Sequence, residues 1–339
     1  MSMLSDFLDI RKQSKEHFKG LKIEKEEQIC QQWMNQCPTI FFSMKDVDGL
    51  DFESAYQRLQ ALIANLCKEH TYLLESDEID PDDKEIFLHL KAGNGNQSET
   101  TLAFATLMRM MHKYYKRKVI FLLDEYDVPI AKASDHGYYD QMLDIVKGMM
   151  SSSLKDNTDL NIAVITGCLK VAKESIFSQF NNVRVYTVLH RQYASYFGFT
   201  SSETEKLLKD FSLSLNQKVK SKYDGYLFGG IEIYNPWSLL NYADSGELHG
   251  YWVNTSSNYL IKRTLSEADK NFWTDFDRLA SGNQIPVWLT LETSYIERGS
   301  TYSLWGLLVN SGYLTALERL DENTVIVRIP NDEVMSEFQ

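Results

Sequence analysis

Short apolar runs alternate with longer amphipathic segments along the first part of the chain. The apolar runs are Pro38–Met44, Val119–Leu123 and Asn161–Thr166, and helical spacing of apolar residues is found between them, for example in Asp51–Leu74 and Tyr138–Leu154. Short runs rich in β-branched and aromatic residues suit strands that are buried on both faces of a parallel sheet. Strands that alternate with helices predict an α/β fold with a mostly parallel, doubly wound sheet flanked by helices.

The same periodicities predict the remaining elements of this part. Helices are expected over Met1–Lys19 and Glu24–Met34, with a further strand at Val183–Val188. Residues 75–99 are acidic and polar around a short helical piece, which indicates a surface insertion or loop. After the central strand, Asp127-Val128-Pro129 is expected to turn the chain and Ala133–Gly137 to form a loop. A helix is expected from Ser98, with Met110 and Met111 as core residues, and a short helix at Ser175–Asn182.

The character of the sequence changes near Gly198, which predicts an α/β core over residues 1–198 and a second domain over residues 199–339. The second part contains a capped helix from Ser201, an aromatic and glycine-rich stretch, and a helix that opens at Asn235-Pro236-Trp237. Trp237 is expected in the core at this helix start. Further predicted elements are an extended piece at 251–256, helices at 259–264 and 269–280, and a terminal hairpin within 313–329. Together they predict a helical, winged-helix-like domain.

Composition limits the class of protein. The net charge of −12 argues against a generally nucleic-acid-binding surface, although a local basic patch is compatible with it. No apolar run approaches the roughly 18 residues that a membrane helix needs, and the first residues do not resemble a signal peptide. The four cysteines show no CxxC spacing, so reduced thiols in a cytoplasmic protein are expected.

The candidate chemistry centres on the end of the central strand, where five apolar residues stop at Asp124 and Glu125. Ligands of open α/β sheets bind at the carboxyl ends of the strands. The pattern is that of a Walker B strand, in which the aspartate holds Mg²⁺ and the next acid orients or deprotonates the attacking water. The alternative is an acid that only caps the following helix.

Three other residues are candidates for the same site. Thr166 ends the neighbouring strand, where it would contact a γ-phosphate or water, or simply end the strand. Asp127 would support the metal-binding residues, or form a turn before Val128-Pro129. Arg191 follows the last predicted strand of this part and would contact a phosphate, or form a surface salt bridge.

Several motifs in order along the chain resemble those of bacterial AAA-ATPase-like proteins, which are P-loop ATPases often fused to a PD-(D/E)XK-type nuclease domain. The stretches that carry the resemblance are Trp33–Phe42, Leu50–Phe52, Leu122–Pro129, Ala163–Cys168, Ala172–Phe177, Tyr223–Tyr226 and Asn235–Trp237. The resemblance implies a P-loop NTPase-like fold, ATP and Mg²⁺ as cofactors, and Asp124, Glu125 and Thr166 in the roles given above.

Two departures from the family change what is expected of this chain. No G-x-x-x-x-G-K-[ST] sequence occurs in these 339 residues, although that loop cradles the phosphates of a bound nucleotide. The resemblance thus implies a chain that begins after the P-loop, lacks the central strand that leads into it, and ends before a nuclease domain. Impaired nucleotide binding is expected, with nucleic acid bound only through an absent nuclease domain.

A non-catalytic function is the alternative. The aromatic stretch Tyr223–Trp252 would then dock a protein partner or a second copy of the chain, which an exposed apolar patch in this stretch would favour.

Overall fold

The computed structural model describes residues 1–167, 170–171, 183–253, 265, 268–289, 292–293 and 301–338. The chain divides into two compact units. Described residues up to 167 belong to the first unit, and residues 170–171 and those from 183 onwards belong to the second. The predicted helices at 175–182 and 259–264 lie outside the described residues, as do positions 254–256 of the extended piece. Within the described part of the chain, no helix is long and apolar enough to cross a membrane.

The first unit is an α/β structure, as predicted. Its strands are β1 (Thr39–Ser43), β2 (Val119–Asp124) and β3 (Leu160–Ile165). Its helices are α1 (Ser2–Leu8), α2 (Glu27–Trp33), α3 (Phe52–Glu69), α4 (Pro81–Ala92), α5 (Gln97–Tyr115), α6 (Val128–His136) and α7 (Tyr139–Leu154).

The three strands form a parallel sheet in the order β1-β2-β3. The central position of β2 explains its sequence, because a strand with neighbours on both sides and helices on both faces has no solvent-exposed position. Residues 119–123 are almost completely buried. On β3, by contrast, Ile162 is 44% exposed. The three described strands are contiguous, and the expected lack of a further central strand stays a prediction.

Alternation along β2 directs its side chains to two separate cores. Ile120 and Leu122 face α1, where they pack with Phe7 and Leu8. Phe121 faces the opposite way and contacts Phe104 of α5 at a ring-centroid distance of 4.9 Å. Asp124 continues the series of Ile120 and Leu122, so its position belongs to the face of the sheet that α1 covers.

The helix expected over Met1–Lys19 is wrong in length. It ends at Leu8, because Asp9 leaves the helix to form a bridge with Cys37 beside the sheet. The N–H of Ile10 donates to the carbonyl of Cys37 at 2.9 Å. A short 3-10 helix at Lys15–Phe18 follows, and α2 is likewise shorter than the predicted Glu24–Met34. Pairing with the segment before β1 therefore overrides the helical periodicity.

Two segments expected to be loops, one of them with a short helical piece, contain well-defined helices. In α4, Asp80 caps the first turn, Pro81 occupies the first helical position, and Gly93 ends the helix in the left-handed conformation. Phe87 and Leu90 of α4 are buried, so this segment is part of the core and not an insertion. In α6 (Val128–His136) the proline likewise begins a helix, where the sequence analysis expected a turn and a loop.

Other predictions for this unit are confirmed. Asp51 caps α3 by accepting the N–H of Ser54 at 2.8 Å. Met110 and Met111 are fully buried, and α5 begins at Gln97, one residue before the expected start, with an Asn96–Glu99 capping box.

The second unit combines short helices with small sheets. Its helices are α8 (Ser201–Asp210), α9 (Gln217–Tyr223), α10 (Pro236–Ser245), α11 (Lys270–Ala280), α12 (Thr301–Asn310) and α13 (Asp332–Met335). Its strands are β4 (Lys170–Val171), β5 (Tyr226–Phe228), β6 (Ile231–Ile233), β7 (Ile285–Trp288), β8 (Glu292–Thr293), β9 (Thr315–Arg319) and β10 (Thr324–Arg328). An antiparallel sheet has the order β7-β10-β9, and β9 and β10 form the predicted terminal hairpin.

The aromatic stretch of the second unit forms a core. Tyr223, Tyr234 and Tyr242 are buried in one cluster with Leu208 and Leu239. Tyrosines that are buried together form core and cannot serve as an exposed docking patch. Trp237 and Leu240 of the same stretch are exposed, however, so a docking role of this stretch stays a prediction.

Two predictions in this unit are wrong. Trp237 is 53% exposed, because the buried side of α10 is formed by Ser238, Leu239, Tyr242 and Ala243. Residues 183–188 form no regular strand.

Candidate functional site

A tight turn at the carboxyl end of β2 is held against the end of β3. The N–H of Thr166 donates to the carbonyl of Leu123 at 2.9 Å, and the N–H of Tyr126 donates to the carbonyl of Thr166 at 3.2 Å. On the other side, the N–H of Met44 donates to the carbonyl of Asp124 at 2.9 Å. Backbone hydrogen bonds to both neighbouring strands therefore determine where Asp124 and Glu125 begin the turn.

Polar side chains form a row along this edge of the sheet. The Thr166 hydroxyl donates a hydrogen bond to Oδ1 of Asp124. Ser43 ends β1 and is the register partner of Asp124. Alternation places Ser43, Asp124 and Thr166 on the same face, since Phe41, Leu122 and Val164 two residues before them all belong to the core beside α1. The sequence prediction that Thr166 lies beside the acidic pair is thus realised in the structure.

Glu125 has an unusual backbone conformation. Its φ angle is +54°, in the left-handed region that residues other than Gly, Asn and Asp rarely adopt. The N–H of Val128 donates to its carbonyl at 3.2 Å, so the turn leads directly into α6. Such strain persists where surrounding contacts impose it, and it concentrates at functional sites. The half-buried carboxylate of Glu125 follows that of Asp124 directly at the sheet edge.

Asp127 is a buried residue at the end of the turn. Its side chain is buried, and it occupies the position before the first residue of α6. A Cβ atom on Gly167 would lie 2.5 Å from Oδ1 of Asp127 and 2.7 Å from Cε1 of Tyr126. Only glycine leaves room for this approach. Asp127 therefore packs against the backbone of the segment that follows Thr166 and helps to hold that segment beside the turn.

The oxygen atoms at this edge suit Mg²⁺, a hard cation that binds carboxylates, hydroxyls and water. Oδ1 of Asp124 is bound to Thr166, whereas Oδ2 accepts no hydrogen bond from the described residues. Among those residues, no three His, Cys, Asp or Glu side chains come together as a metal-binding group. Mg²⁺ is typically bound through one or two carboxylates together with substrate phosphates. The donor atoms at this edge therefore fit a magnesium ion that arrives with a nucleotide.

Arg191 is the one sequence candidate outside the first unit. It lies in the second unit and its side chain is exposed. Its Cα packs closely against Gly229, where a Cβ atom would lie 2.5 Å away. The role of Arg191 in contacting phosphate stays a prediction.

Two residues of the site were missed by the sequence analysis. Ser43 lies one residue before the end of the predicted strand Pro38–Met44, and a polar residue near that end was a usable signal, but its alignment with Asp124 depends on the strand register. Gly167 directly follows the predicted strand Asn161–Thr166, and its sequence position gave it no role in the site. Its importance comes from the side chains of Tyr126 and Asp127, which approach it in the folded chain.

Comparison with known proteins supports the resemblance. Residues 1–177, just over half of the chain, match the model of a family described as AAA-ATPase-like, predicted AAA-ATPase. An uncharacterized protein from the vnfD 5′ region of Azotobacter chroococcum mcd 1 is 27% identical over 173 residues. The match covers 50% of this chain and 33% of that protein, so the chain spans about a third of its relative's length. No solved structure matches.

Proposed function

Because the chain belongs to the AAA-ATPase-like family, we propose that the edge formed by Asp124, Glu125 and Thr166 is the metal- and water-binding half of a Mg²⁺-nucleotide site. The observation that carries the proposal is the hydrogen bond from the Thr166 hydroxyl to the Asp124 carboxylate at the ends of adjacent parallel strands. It orients one carboxylate oxygen and leaves the other to bind a cation. A bound Mg²⁺ would neutralise charge on the phosphates.

Each side chain has a distinct role in this proposal. Asp124 would hold the cation, and the hydrogen bond from Thr166 fixes the orientation of its carboxylate. Glu125 accepts a proton from, or orients, the water that attacks the terminal phosphate. Ser43 adds a hydroxyl at the same level of the sheet.

We further propose that these 339 residues bind and hydrolyse ATP poorly when no other chain assists them. They contain no G-x-x-x-x-G-K-[ST] sequence, and the backbone N–H groups and lysine of that loop supply much of the attraction for the phosphates. The expected dissociation constant for Mg²⁺·ATP is about 1 mM or weaker, which corresponds to about 4 kcal/mol of binding free energy or less.

Paramagnetic line broadening tests the site at such weak affinity. Mn²⁺·ATP, used in place of Mg²⁺·ATP, should broaden the NMR signals of the methyl groups of Leu122 and Val164, which lie two residues before Asp124 and Thr166. Asp124→Asn should abolish the broadening, and Thr166→Val should reduce it. The matched control Asp140→Asn removes an exposed carboxylate on α7 and should change nothing.

Separate results would refute the two parts of the proposal, which are the metal site and the weak binding of nucleotide. Broadening that is absent, or that survives Asp124→Asn, refutes the site. A micromolar dissociation constant in calorimetry with Mg²⁺·ATP refutes the impairment and leaves the site in place.

The second unit supports a winged-helix-like assignment for its C-terminal part. Helix α11, strand β7, helix α12 and the β9–β10 hairpin follow one another along the chain. The central strand of the sheet is β10, with β7 and β9 at its sides. We propose that this C-terminal part is a winged-helix-like domain.

A further inference from the structure

The second unit contains an exposed aromatic loop. We define the Tyr-Arg loop as residues 183–199, which contain no regular strand. Exposure is 39% for Tyr186, 47% for Tyr193, 79% for Tyr196 and 70% for Phe197. Large aromatic side chains at this level of exposure within one short segment form a contiguous surface feature, and such features mark interaction sites.

The charge of this loop is opposite to that of the chain. Arg184 and Arg191 are both exposed. Between residues 175 and 202 the sequence has no Asp or Glu, although the whole chain has a net charge of −12. At physiological salt, charges further away than about 8 Å are largely screened, so the negative charge of distant parts of the chain acts only weakly on a ligand at the loop.

The backbone of the loop is anchored to the β5–β6 hairpin. The N–H of Gly229 donates to the carbonyl of Val188 at 2.9 Å, and Phe199 and Tyr234 exchange backbone hydrogen bonds of 3.1 and 2.8 Å. Gly229 has a φ of +53°, and a Cβ there would lie 2.5 Å from the carbonyl oxygen of His190. The loop is therefore held at its middle and at its end, so its side chains are presented in a preorganised arrangement.

The aromatic rings contact one another at their edges. The ring centroids of Tyr186 and Tyr193 are 4.9 Å apart with an interplanar angle of 81°, and those of Tyr193 and Tyr196 are 6.5 Å apart at 66°. Edge-to-face contacts order the rings and leave much of their surface to solvent. Exposed rings next to guanidinium groups are the combination that binds single strands, in which bases stack on rings and phosphates pair with cations.

We propose that the Tyr-Arg loop binds single-stranded nucleic acid. This departs from the expectation that nucleic acid would be bound only through a fused nuclease domain. Two arginines limit the contact to about two phosphates, so the dependence of log K on log salt should have a slope of about −1.4, at about −0.7 for each phosphate of a single strand. Recognition is by stacking and charge, without preference for one sequence. The proposal concerns a different unit from the nucleotide site and does not rest on it.

Fluorescence anisotropy of the full chain with a labelled oligo(dT) of about 16 nucleotides tests this. Tyr193→Ala and Tyr196→Ala should each weaken binding at least about fivefold, the loss expected when one stacked base is released. Tyr196→Phe keeps the ring and should retain binding. Arg191→Gln should halve the salt slope to about −0.7.

Matched controls lie elsewhere in the same unit. Phe211→Ala removes an aromatic side chain that is 50% exposed, and Arg278→Gln removes an arginine whose side chain is 57% exposed. Both should leave binding to oligo(dT) unchanged. Equal melting temperatures across the variants show that each has folded.

Three outcomes overturn the proposal. The first is no binding of oligo(dT) at low salt. The second is binding that the loop variants leave unchanged. The third is that a labelled oligoglutamate peptide binds the loop while oligo(dT) does not, which would assign the surface to an acidic protein segment.

Discussion

At the scale of single residues, the acidic edge depends on conformations that cost free energy. Glu125 is held at a positive φ by the backbone hydrogen bonds of its neighbours, and Gly167 is approached closely by Asp127 and Tyr126. Glycine would occupy this position with less strain, so a purely structural role of the turn does not explain a glutamate there. The presence of Glu125 there agrees with a chemical role for its carboxylate.

Replacing Glu125 with glycine should stabilise the protein. The left-handed conformation costs an L-residue about 1–2 kcal/mol, of which the greater freedom of glycine in the unfolded chain offsets about 0.5–1 kcal/mol. We expect Glu125→Gly to raise the free energy of unfolding by about 0.5–1 kcal/mol in urea titrations. Lys116→Gly at the end of α5, also at a φ of +54°, is the matched control and should give a similar gain. A loss of stability in Glu125→Gly alone would show that its carboxylate holds the turn together.

Adding a methyl group at Gly167 should have the opposite effect. Because the new Cβ would meet Asp127 and Tyr126 at 2.5 and 2.7 Å, we expect Gly167→Ala to lower the free energy of unfolding by about 1–3 kcal/mol. Gly148→Ala on α7 is the control, since its Cβ would meet only the side chain of Thr101, at 2.9 Å. Urea titration measures both variants, and equal losses would contradict the close approach inferred at Gly167.

At the scale of elements, helix α3 ends in a buried polar cluster. His70 follows its last residue and is completely buried. Its Nδ1 lies 3.1 Å from the hydroxyl of Tyr72, which accepts a hydrogen bond from Tyr115 at 2.9 Å. Burial, and secondly the charge of Arg11, lower the pKa of His70 to about 3. Arg11 is itself paired with buried Asp9 at 2.8 Å and donates to the carbonyl of Glu69.

The neutral form of His70 should make the stability of the first unit depend on pH. An unfolded histidine has a pKa of about 6.5, so the unfolded state binds a proton below that pH while the folded state does not. Stability is therefore complete above about pH 6.5 and falls as the pH decreases towards the folded pKa. Between pH 7 and pH 5 the expected loss is about 2 kcal/mol.

Urea titrations at the two pH values measure this loss. His70→Phe keeps an aromatic ring without a titrating group and should lose most of the pH dependence. The matched control His17→Phe replaces an exposed histidine and should retain it. A pH dependence that is the same in wild type and His70→Phe would exclude His70 as its source.

At the scale of the whole molecule, the two compact units contain buried titratable groups of opposite behaviour. In the second unit, Glu333 is buried and accepts hydrogen bonds from the Ser238 hydroxyl and the N–H of Trp252, both at 2.8 Å. Burial outweighs these bonds and raises its pKa. A carboxyl with a raised folded pKa stabilises the fold more as the pH falls, which is opposite to the effect of His70.

Acidification should therefore unfold the first unit before the second. Of the six tryptophans, only Trp33 lies in the first unit, so tryptophan fluorescence reports mainly on the second, while circular dichroism reports on both. On heating at pH 5, we expect the dichroism to decrease at a lower temperature than the fluorescence changes, with the two transitions closer at pH 7. Earlier loss of the fluorescence signal at pH 5 would contradict this assignment.

The sequence by itself determined the elements of the first unit's sheet and the position of its acidic pair. Buried strands are recognisable from local composition, because residues enclosed on both faces must all be apolar, and the end of such a run locates Asp124. The helix cap at Asp51 was also readable, since capping involves residues only two or three positions apart, whereas the sequence left Thr200 and Ser201 as alternative caps of α8 and the structure selects Thr200.

Only the tertiary structure decided which of these residues act together. The alignment of Ser43 with Asp124, the close approach at Gly167, and the burial of His70 all depend on contacts between segments far apart in the chain. The same holds for the exposure of Trp237 and for the early end of α1, where pairing with Cys37 replaced a helical pattern. Local patterns specify what each segment can form, whereas register and packing between segments select the residues that meet.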